Sequence, residues 1–215
     1  MVHAVEVDPI PHNSPAIFVT DSAALNFLNS IATPVDTAID WIGDGDGLLA
    51  WLEQAQLVPA EALEAMRKHA KPGELDRVAA QARNLREWFR AFVDENRGKP
   101  LKAAALADLE PLNRLLARDE GFGQLVAQKY GKTTALRFQS ARRWRSPDSL
   151  LVPIAEALAR MLAEEDLSDV KACEGATCTL MFADRTRGRS RRWCSMGICG
   201  NRAKQIAHRQ RSKRG

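Results

Sequence analysis

The clearest pattern in the chain is a run of apolar positions that step by three and four: Leu75, Val78, Ala82, Leu85, Phe89 and Phe92. That spacing puts them on one stripe of a helix, so the sequence predicts an amphipathic helix from Gly73 to about Asn96, ended by Gly98. Shorter stretches with the same period predict five more. Asp21 or Ser22 caps one that runs to about Ile31, with Leu25, Leu28 and Ile31 inward. After the turn-rich stretch Gly43-Asp44-Gly45-Asp46-Gly47, Asp46 caps a short helix carrying Leu48, Leu49, Trp51 and Leu52. Pro59 opens another at a tolerated first-turn position. A further helix spans Asp108 to Arg118 with Pro111 in its first turn. The last follows Pro147-Asp148 and reaches about Glu165, with Leu151, Ile154, Leu158, Met161 and Leu162 inward.

Two segments read as β-structure. Ala16-Ile17-Phe18-Val19 is a short β-prone run, expected as one strand. Between Gly123 and Ser140, two apolar runs flank Tyr130-Gly131-Lys132, the mark of a hairpin. Met1 to Pro15 reads as a loose leader. The expected fold class is therefore α+β, mainly α: a helical domain over residues 16–168 with a small hairpin, and a separate module over residues 169–215. The boundary is expected between Leu167 and Lys171.

Charge sharpens that division. The 215-residue chain carries a net +4, but its last 45 residues hold twelve Lys and Arg against two acids, Glu174 and Asp184. The rest is acidic, so an acidic body carries a basic interaction element. No run of 18 apolar residues suggests a membrane span. The first residues lack the basic start and apolar stretch of a secretory signal, so a cytoplasmic location is expected.

All four cysteines fall in the basic part: Cys173, Cys178, Cys194 and Cys199, a C-x4-C pair, fifteen residues, and a second C-x4-C pair. In a reducing compartment such pairs are more often metal ligands than disulfides. Four thiolates suit tetrahedral zinc, and each close pair supplies half the tetrahedron. Four buried free cysteines are the plain alternative. That reading leaves unexplained why they sit in symmetric pairs in the most polar part of the chain. The intervening residues fit a hairpin, with Leu180-Met181-Phe182 as one arm and Arg191-Arg192-Trp193 as the other. A helix from about Cys199 to Arg211 would hold a thiolate at its positive end. Knuckle, hairpin and helix in this order make a treble-clef arrangement. Four protein ligands leave no open position, so the expected cofactor is one structural Zn2+ and not a catalytic one.

The stretch Arg192-Trp193-Cys194-Ser195-Met196-Gly197-Ile198-Cys199-Gly200-Asn201-Arg202, with Phe182-Ala183-Asp184 upstream, resembles the signature of the CGNR zinc-finger family. In that family the finger follows an N-terminal ABATE domain, described as a stress-induced transcription regulator. Residues 16–165 are similar to it in length, order and helical character. Leu25-Asn26-Phe27-Leu28-Asn29-Ser30 resembles its early Asp-Phe-x-Asn-Thr segment, with Asn26 in place of Asp and Ser30 in place of Thr. The resemblance implies DNA binding and transcription regulation.

The basic residues point the same way independently. Arg185, Arg187, Arg189, Arg191 and Arg192 crowd the expected hairpin; Arg202, Lys204, Arg209 and Arg211 follow on the expected helix, with Lys213 and Arg214 beyond. Arginine outnumbers lysine here, which suits bidentate phosphate or guanine contacts. DNA is the expected partner. RNA, or an acidic protein held by an adaptor, is the alternative, and a small-molecule effector of the N-terminal domain is a further candidate. Arg202 is expected to pair with Asp184, Gly200 to allow close passage of the helix start, and Asn201 to bond backbone near the site. No acid–base pair or nucleophile constellation suggests an enzyme. Gly131-Lys132-Thr133 lacks the earlier glycine of a phosphate loop, and Asp44, Asp46 and Glu53 fail the calcium-loop spacing. Arg142-Arg143-Trp144-Arg145 is expected to pack its Trp and solvate its arginines.

Overall fold

The computed structural model describes residues 15–33, 38–131 and 133–212. Most of the leader, with Lys132, Lys213 and Arg214, lies outside the described residues. The long stripe forms α4, Glu74–Asn96, which buries Val78, Ala82, Leu85, Phe89 and Phe92 as its spacing predicts. Gly73 precedes it with φ 74°, a left-handed conformation that only glycine adopts without strain. Gly98, also left-handed at φ 79°, ends it, and its N–H donates to Leu167 O at 2.9 Å.

Around α4 pack α1 (Ala23–Leu28), α2 (Gly45–Gln54) and, through α1, α6 (Leu151–Glu164); α3 (Ala60–His69) sits against α2 and α5 (Glu110–Leu116) against α6. Trp51, Phe27, Phe89, Leu25 and Leu28 are fully buried in this core. Each such side chain contributes roughly 1.5–3 kcal/mol on leaving water.

Several boundaries differ from the sequence pattern for identifiable reasons. Ala16–Val19 forms no strand, having no strand to pair with; instead the Gln54 side-chain amide exchanges two hydrogen bonds with the Ala16 backbone, at 2.7 and 2.8 Å. α1 stops at Leu28 because Asn29 and Ser30 turn their polar groups into other bonds. Ile31–Ala32 (β1) then pairs antiparallel with Ile39–Asp40 (β2). Asp44, not Asp46, caps α2: its carboxylate accepts from the Gly47 N–H at 2.8 Å. The helix begins at Gly45, where a Cβ would lie 2.5 Å from Leu75 Cβ, so the glycine permits α2 to meet α4. Pro59 stands just ahead of α3 rather than in its first turn. The Asp108 helix starts as a 3-10 turn, Ala103–Leu109, before Pro111 sets the first turn of α5. Leu162 is half-buried rather than inward.

The expected hairpin is longer than its apolar runs. β3 (Gly121–Tyr130) and β4 (Thr133–Arg142) pair along ten positions. At its base Arg142 binds Asp119 and Glu156, Arg145 binds Glu120 at 2.5 Å, and Arg143 lies over the Phe122 ring. The Arg142–Arg145 stretch therefore ties the hairpin to the helices: Trp144 packs on the core and Arg143 and Arg145 are exposed, as expected, while Arg142 is largely covered between its two carboxylates.

One buried cation lies under α1. Arg86, 2% exposed, makes two bonds to Asp40 at 2.8 and 2.7 Å, one to Glu87, and one to Ser30 Oγ. Burial pushes the Asp40 carboxyl up, but the Arg86 hydrogen bonds and charge outweigh it and hold it below its ordinary value. Because the folded-state value is depressed, this stabilisation is fully present above the unfolded carboxyl's pH of about 4 and is lost as pH falls through the lower folded value. Asp40→Asn leaves the buried Arg86 charge with Glu87 as its one carboxylate and should cost about 3 kcal/mol in urea unfolding at neutral pH. It should also flatten the loss of stability below pH 4.

Candidate metal centre and the basic helix

After α6 the chain runs without a spacer into the cysteine module. Leu167 is buried, and β5 (Val170–Ala172) pairs antiparallel with β6 (Met181–Ala183). The strands flank the first cysteine pair, so Cys173 and Cys178 lie in the turn of a hairpin. The expected pairing of 180–182 with 191–193 does not form. The second arm carries three bulky residues already committed elsewhere, and it meets the first knuckle instead, where Arg192 O accepts from the Glu174 N–H at 2.9 Å. Ser195 accepts from the Ile198 N–H at 3.0 Å and opens a π turn, Met196–Gly200, that carries Cys199 into α7 (Asn201–Ser212).

The four Sγ atoms lie within 4.8 Å of one another, and those of Cys178 and Cys194 are 3.9 Å apart. A tetrahedral site with zinc–sulfur bonds of about 2.3 Å requires sulfur–sulfur edges of about 3.8 Å. The geometry fits. Backbone N–H groups of Gly175 and Cys194 donate to the Cys173 sulfur at 3.4 and 3.2 Å, supporting negative charge there. Among themselves the thiols cannot share that charge. Hydrogen bonding from Cys194 pulls Cys178 down to about 5, the same contact drives Cys194 strongly up, and burial pushes Cys199 up to about 12. One thiolate forms easily and opposes the rest, which a divalent cation would offset. The cysteines hold one structural zinc, and four protein ligands close the site. No other metal-ligating group of three or more side chains occurs among the described residues, the Asp44 loop included.

Gly175 is a further site residue, set where the two cysteine pairs come together. A Cβ there would lie 2.9 Å from Cys199 Sγ and 3.1 Å from Cys178 Cβ. Its signal was a glycine two positions after the first ligand. Gly200, by contrast, faces the movable end of Met196. Asn201 is exposed and simply opens α7.

Asp184 organises the loop between the cysteine pairs. Its carboxylate is fully buried and accepts from Lys171 Nζ at 2.7 Å, Thr186 N at 3.0 Å, Thr186 Oγ1 at 2.6 Å and Arg191 N at 2.9 Å. Burial pushes its pKa up, but these donors, Lys171 foremost, hold it well below the usual carboxylate range. Lys171, not Arg202, is thus its cationic partner.

The basic residues separate into two groups. Arg191 is a strut: its guanidinium lies 4.2 Å over the Phe182 ring and donates to the carbonyls of Trp193, Cys194 and Val19. Arg185 pairs with Glu165 at 3.4 Å, Arg189 with Asp169, and Arg192 with Glu174 at 2.6 Å. Trp193 packs against the core, with the Arg192 guanidinium over its ring. Arg187, Arg202, Lys204 and Arg209 have no carboxylate partner among the described residues; the Arg211 side chain lies outside them. Alternation along the sequence gave no hint of this division, because the neutralising acids come from residues 165–174.

The module and the helical domain share one core. Leu180, Met181 and Phe182 are buried in the same cluster as Leu25, Phe27 and Leu28. Asn29, itself 0% exposed, clasps them: its Nδ2 donates to Met181 O at 2.9 Å and its Oδ1 accepts from Met181 N at 2.8 Å. The Thr33 N–H also reaches Thr179 Oγ1 at 3.1 Å. Asn26 donates to Thr20 O, while its buried Oδ1 has no partner among the described residues. Asn29→Ala would leave one buried N–H and one buried C=O unpaired. We expect a loss of about 2–5 kcal/mol by urea unfolding, with full zinc content retained in the folded fraction.

Fold and site together define a helical domain fused to a basic, structural zinc module. Family models agree on both parts: ABATE, "Putative stress-induced transcription regulator", matches residues 21–165, and the CGNR zinc finger matches residues 170–212. The chain belongs to the ABATE family and carries a CGNR zinc finger. No curated protein matches it. Among the described residues, no helix is long and apolar enough to cross a membrane.

Proposed function

We propose that this chain is a zinc-dependent, DNA-binding transcription regulator, and that α7 is its principal contact with DNA. One observation carries the reading: among the described residues of the 169–215 module, the cations without carboxylate partners are concentrated on the helix whose start is fixed by Cys199. α7 contains no acidic residue, and Arg202, Lys204 and Arg209 lie along it. A helix of twelve residues is about 18 Å long and of a width the major groove accepts. Arg187, at the exposed end of the 184–191 loop, would add a phosphate contact. The paired arginines keep the module folded rather than reach the duplex. The protein acts by binding, not by catalysis.

The division of labour proposed is a regulatory domain over residues 16–168 and a DNA-binding module over residues 169–215. The Asn29 clasp gives the first a rigid hold on the second. A cavity of about 590 Å3 lies between residues 17–21 and the module, lined by Asp21, Arg185, Arg191 and Ser195. A small polar effector bound there would touch both parts.

The test is fluorescence anisotropy of the zinc-loaded chain with labelled duplex DNA, single-stranded RNA and an acidic polypeptide of equal charge, all at about 50 mM salt. Duplex DNA is expected to bind tightest. Equal or tighter binding of the polypeptide would sink the DNA reading in favour of an adaptor.

A further inference from the structure

α7 carries more than charge. No described side chain along it is buried, and it packs mainly on the Met196–Gly200 turn that starts it. At roughly 100° of turn per residue, Arg202, Gln205, Ile206 and Arg209 share an arc about 100° wide. In the middle of that arc Ile206 is 44% exposed, the one large apolar side chain so exposed among the described residues of α7. Gln205 beside it is exposed and makes no side-chain hydrogen bond among the described residues. A helix that only tracked phosphates would use its cations and gain nothing from an isoleucine held in water.

Phosphate contacts position a protein on a duplex, and contacts to base edges specify the sequence. The major groove is about 12 Å wide and α7 about 18 Å long. Laid across the groove, the helix brings its ends near the two backbones and its middle over the base edges. Arg202 and Arg209, about 10.5 Å apart along the axis, then meet phosphates. Gln205 and Ile206, the fifth and sixth of its twelve residues, meet the bases. A glutamine amide matches adenine: its Oε1 accepts from the N6 amino group and its Nε2 donates to N7. An apolar side chain packs against the C5-methyl of thymine. The two neighbours thus fit the two halves of one base pair.

We propose that Gln205 and Ile206 set the sequence preference of this protein, and that they select an A·T pair in the major groove. The proposal rests on α7 being the contact with DNA. A G·C pair lacks the methyl and sets the cytosine amino group, a donor, beside an isoleucine that cannot accept.

The test is selection of duplexes from a randomised pool by the zinc-loaded chain, followed by fluorescence anisotropy on the selected sequence at about 0.1 M salt. The selected duplexes should share an A·T pair. Changing that pair to G·C should weaken wild-type binding by about tenfold or more. Uracil in place of its thymine, which removes only the methyl, should weaken the wild type roughly fourfold and leave Ile206→Ala unaffected. Gln205→Ala should bind the A·T and G·C duplexes within about twofold of each other, with its affinity for random duplex and its salt slope unchanged. Both variants should keep the wild-type melting temperature, because both side chains are exposed. A pool that yields no shared sequence, although random duplex binds, overturns this proposal and leaves the DNA-binding reading standing. A shared A·T pair whose preference survives both Gln205→Ala and uracil also overturns it, and moves the readout to DNA shape or another element. Failure to bind any duplex overturns both readings.

Discussion

Replacing Cys194 with Ser, or stripping zinc with a chelator, should unfold the whole chain rather than one end of it. Structural zinc supplies about 10–16 kcal/mol in small modules, as much as a typical domain's entire stability of about 5–15 kcal/mol. Cys194 is 0% exposed, its N–H binds the Cys173 sulfur, and its carbonyl accepts from Arg191. Without zinc, one thiolate forms at most and the other cysteines stay protonated, so nothing draws the four sulfurs together and the strands β5 and β6 lose their anchor. Those strands bury Met181 and Phe182 against α1, and Asn29 is bonded to Met181 on both sides. Loosening the module thus opens the main core. Calorimetry should show one cooperative transition in the zinc-loaded chain, shifted down by tens of degrees after chelation. A helical domain that melts at the same temperature with and without zinc would mean the module is a detachable finger. Acid should act in the same sense, because thiolates must stay deprotonated to hold the metal.

The second large effect concerns which cations matter. Changing Arg202, Lys204 and Arg209 together to Ala should weaken duplex binding by two to three orders of magnitude at about 0.1 M salt, and lower the log–log salt slope by about 2.7. The melting temperature should barely move, since none of the three has a carboxylate partner among the described residues. Changing Arg189 and Arg192 to Ala should do the reverse. Their partners Asp169 and Glu174 lose their cations, and the loop around Asp184 loosens, while DNA affinity per folded molecule falls by about tenfold or less. If the two sets exchange roles, the loop, not α7, meets the DNA.

The sequence made the helices legible because burial imposes a period, as the stripe from Val78 to Phe92 shows. It made the metal site legible because zinc demands four ligands in close pairs. What it could not show were facts settled at a distance. Asn29 looks like any residue near a helix end until Met181, 152 positions away, supplies both its partners. Arg191 reads as one of five similar arginines, yet the Phe182 ring and three carbonyls make it internal. The pairing of Lys171 with Asp184 depends on β5 and β6 joining, which the pattern between the cysteines did not suggest. Ala16–Val19 has the composition of a strand but no neighbour to be a strand with. Local rules located the elements, and long-range contacts decided which cations stayed free.

The most direct test is the salt dependence of duplex binding by the zinc-loaded wild-type chain between about 50 and 200 mM salt. Four phosphate contacts, from Arg187, Arg202, Lys204 and Arg209, set a log–log slope of about −3.6, and further contacts from the chain end would steepen it. Absence of binding at 50 mM salt, or an affinity that salt does not change, would contradict a DNA-binding role for α7.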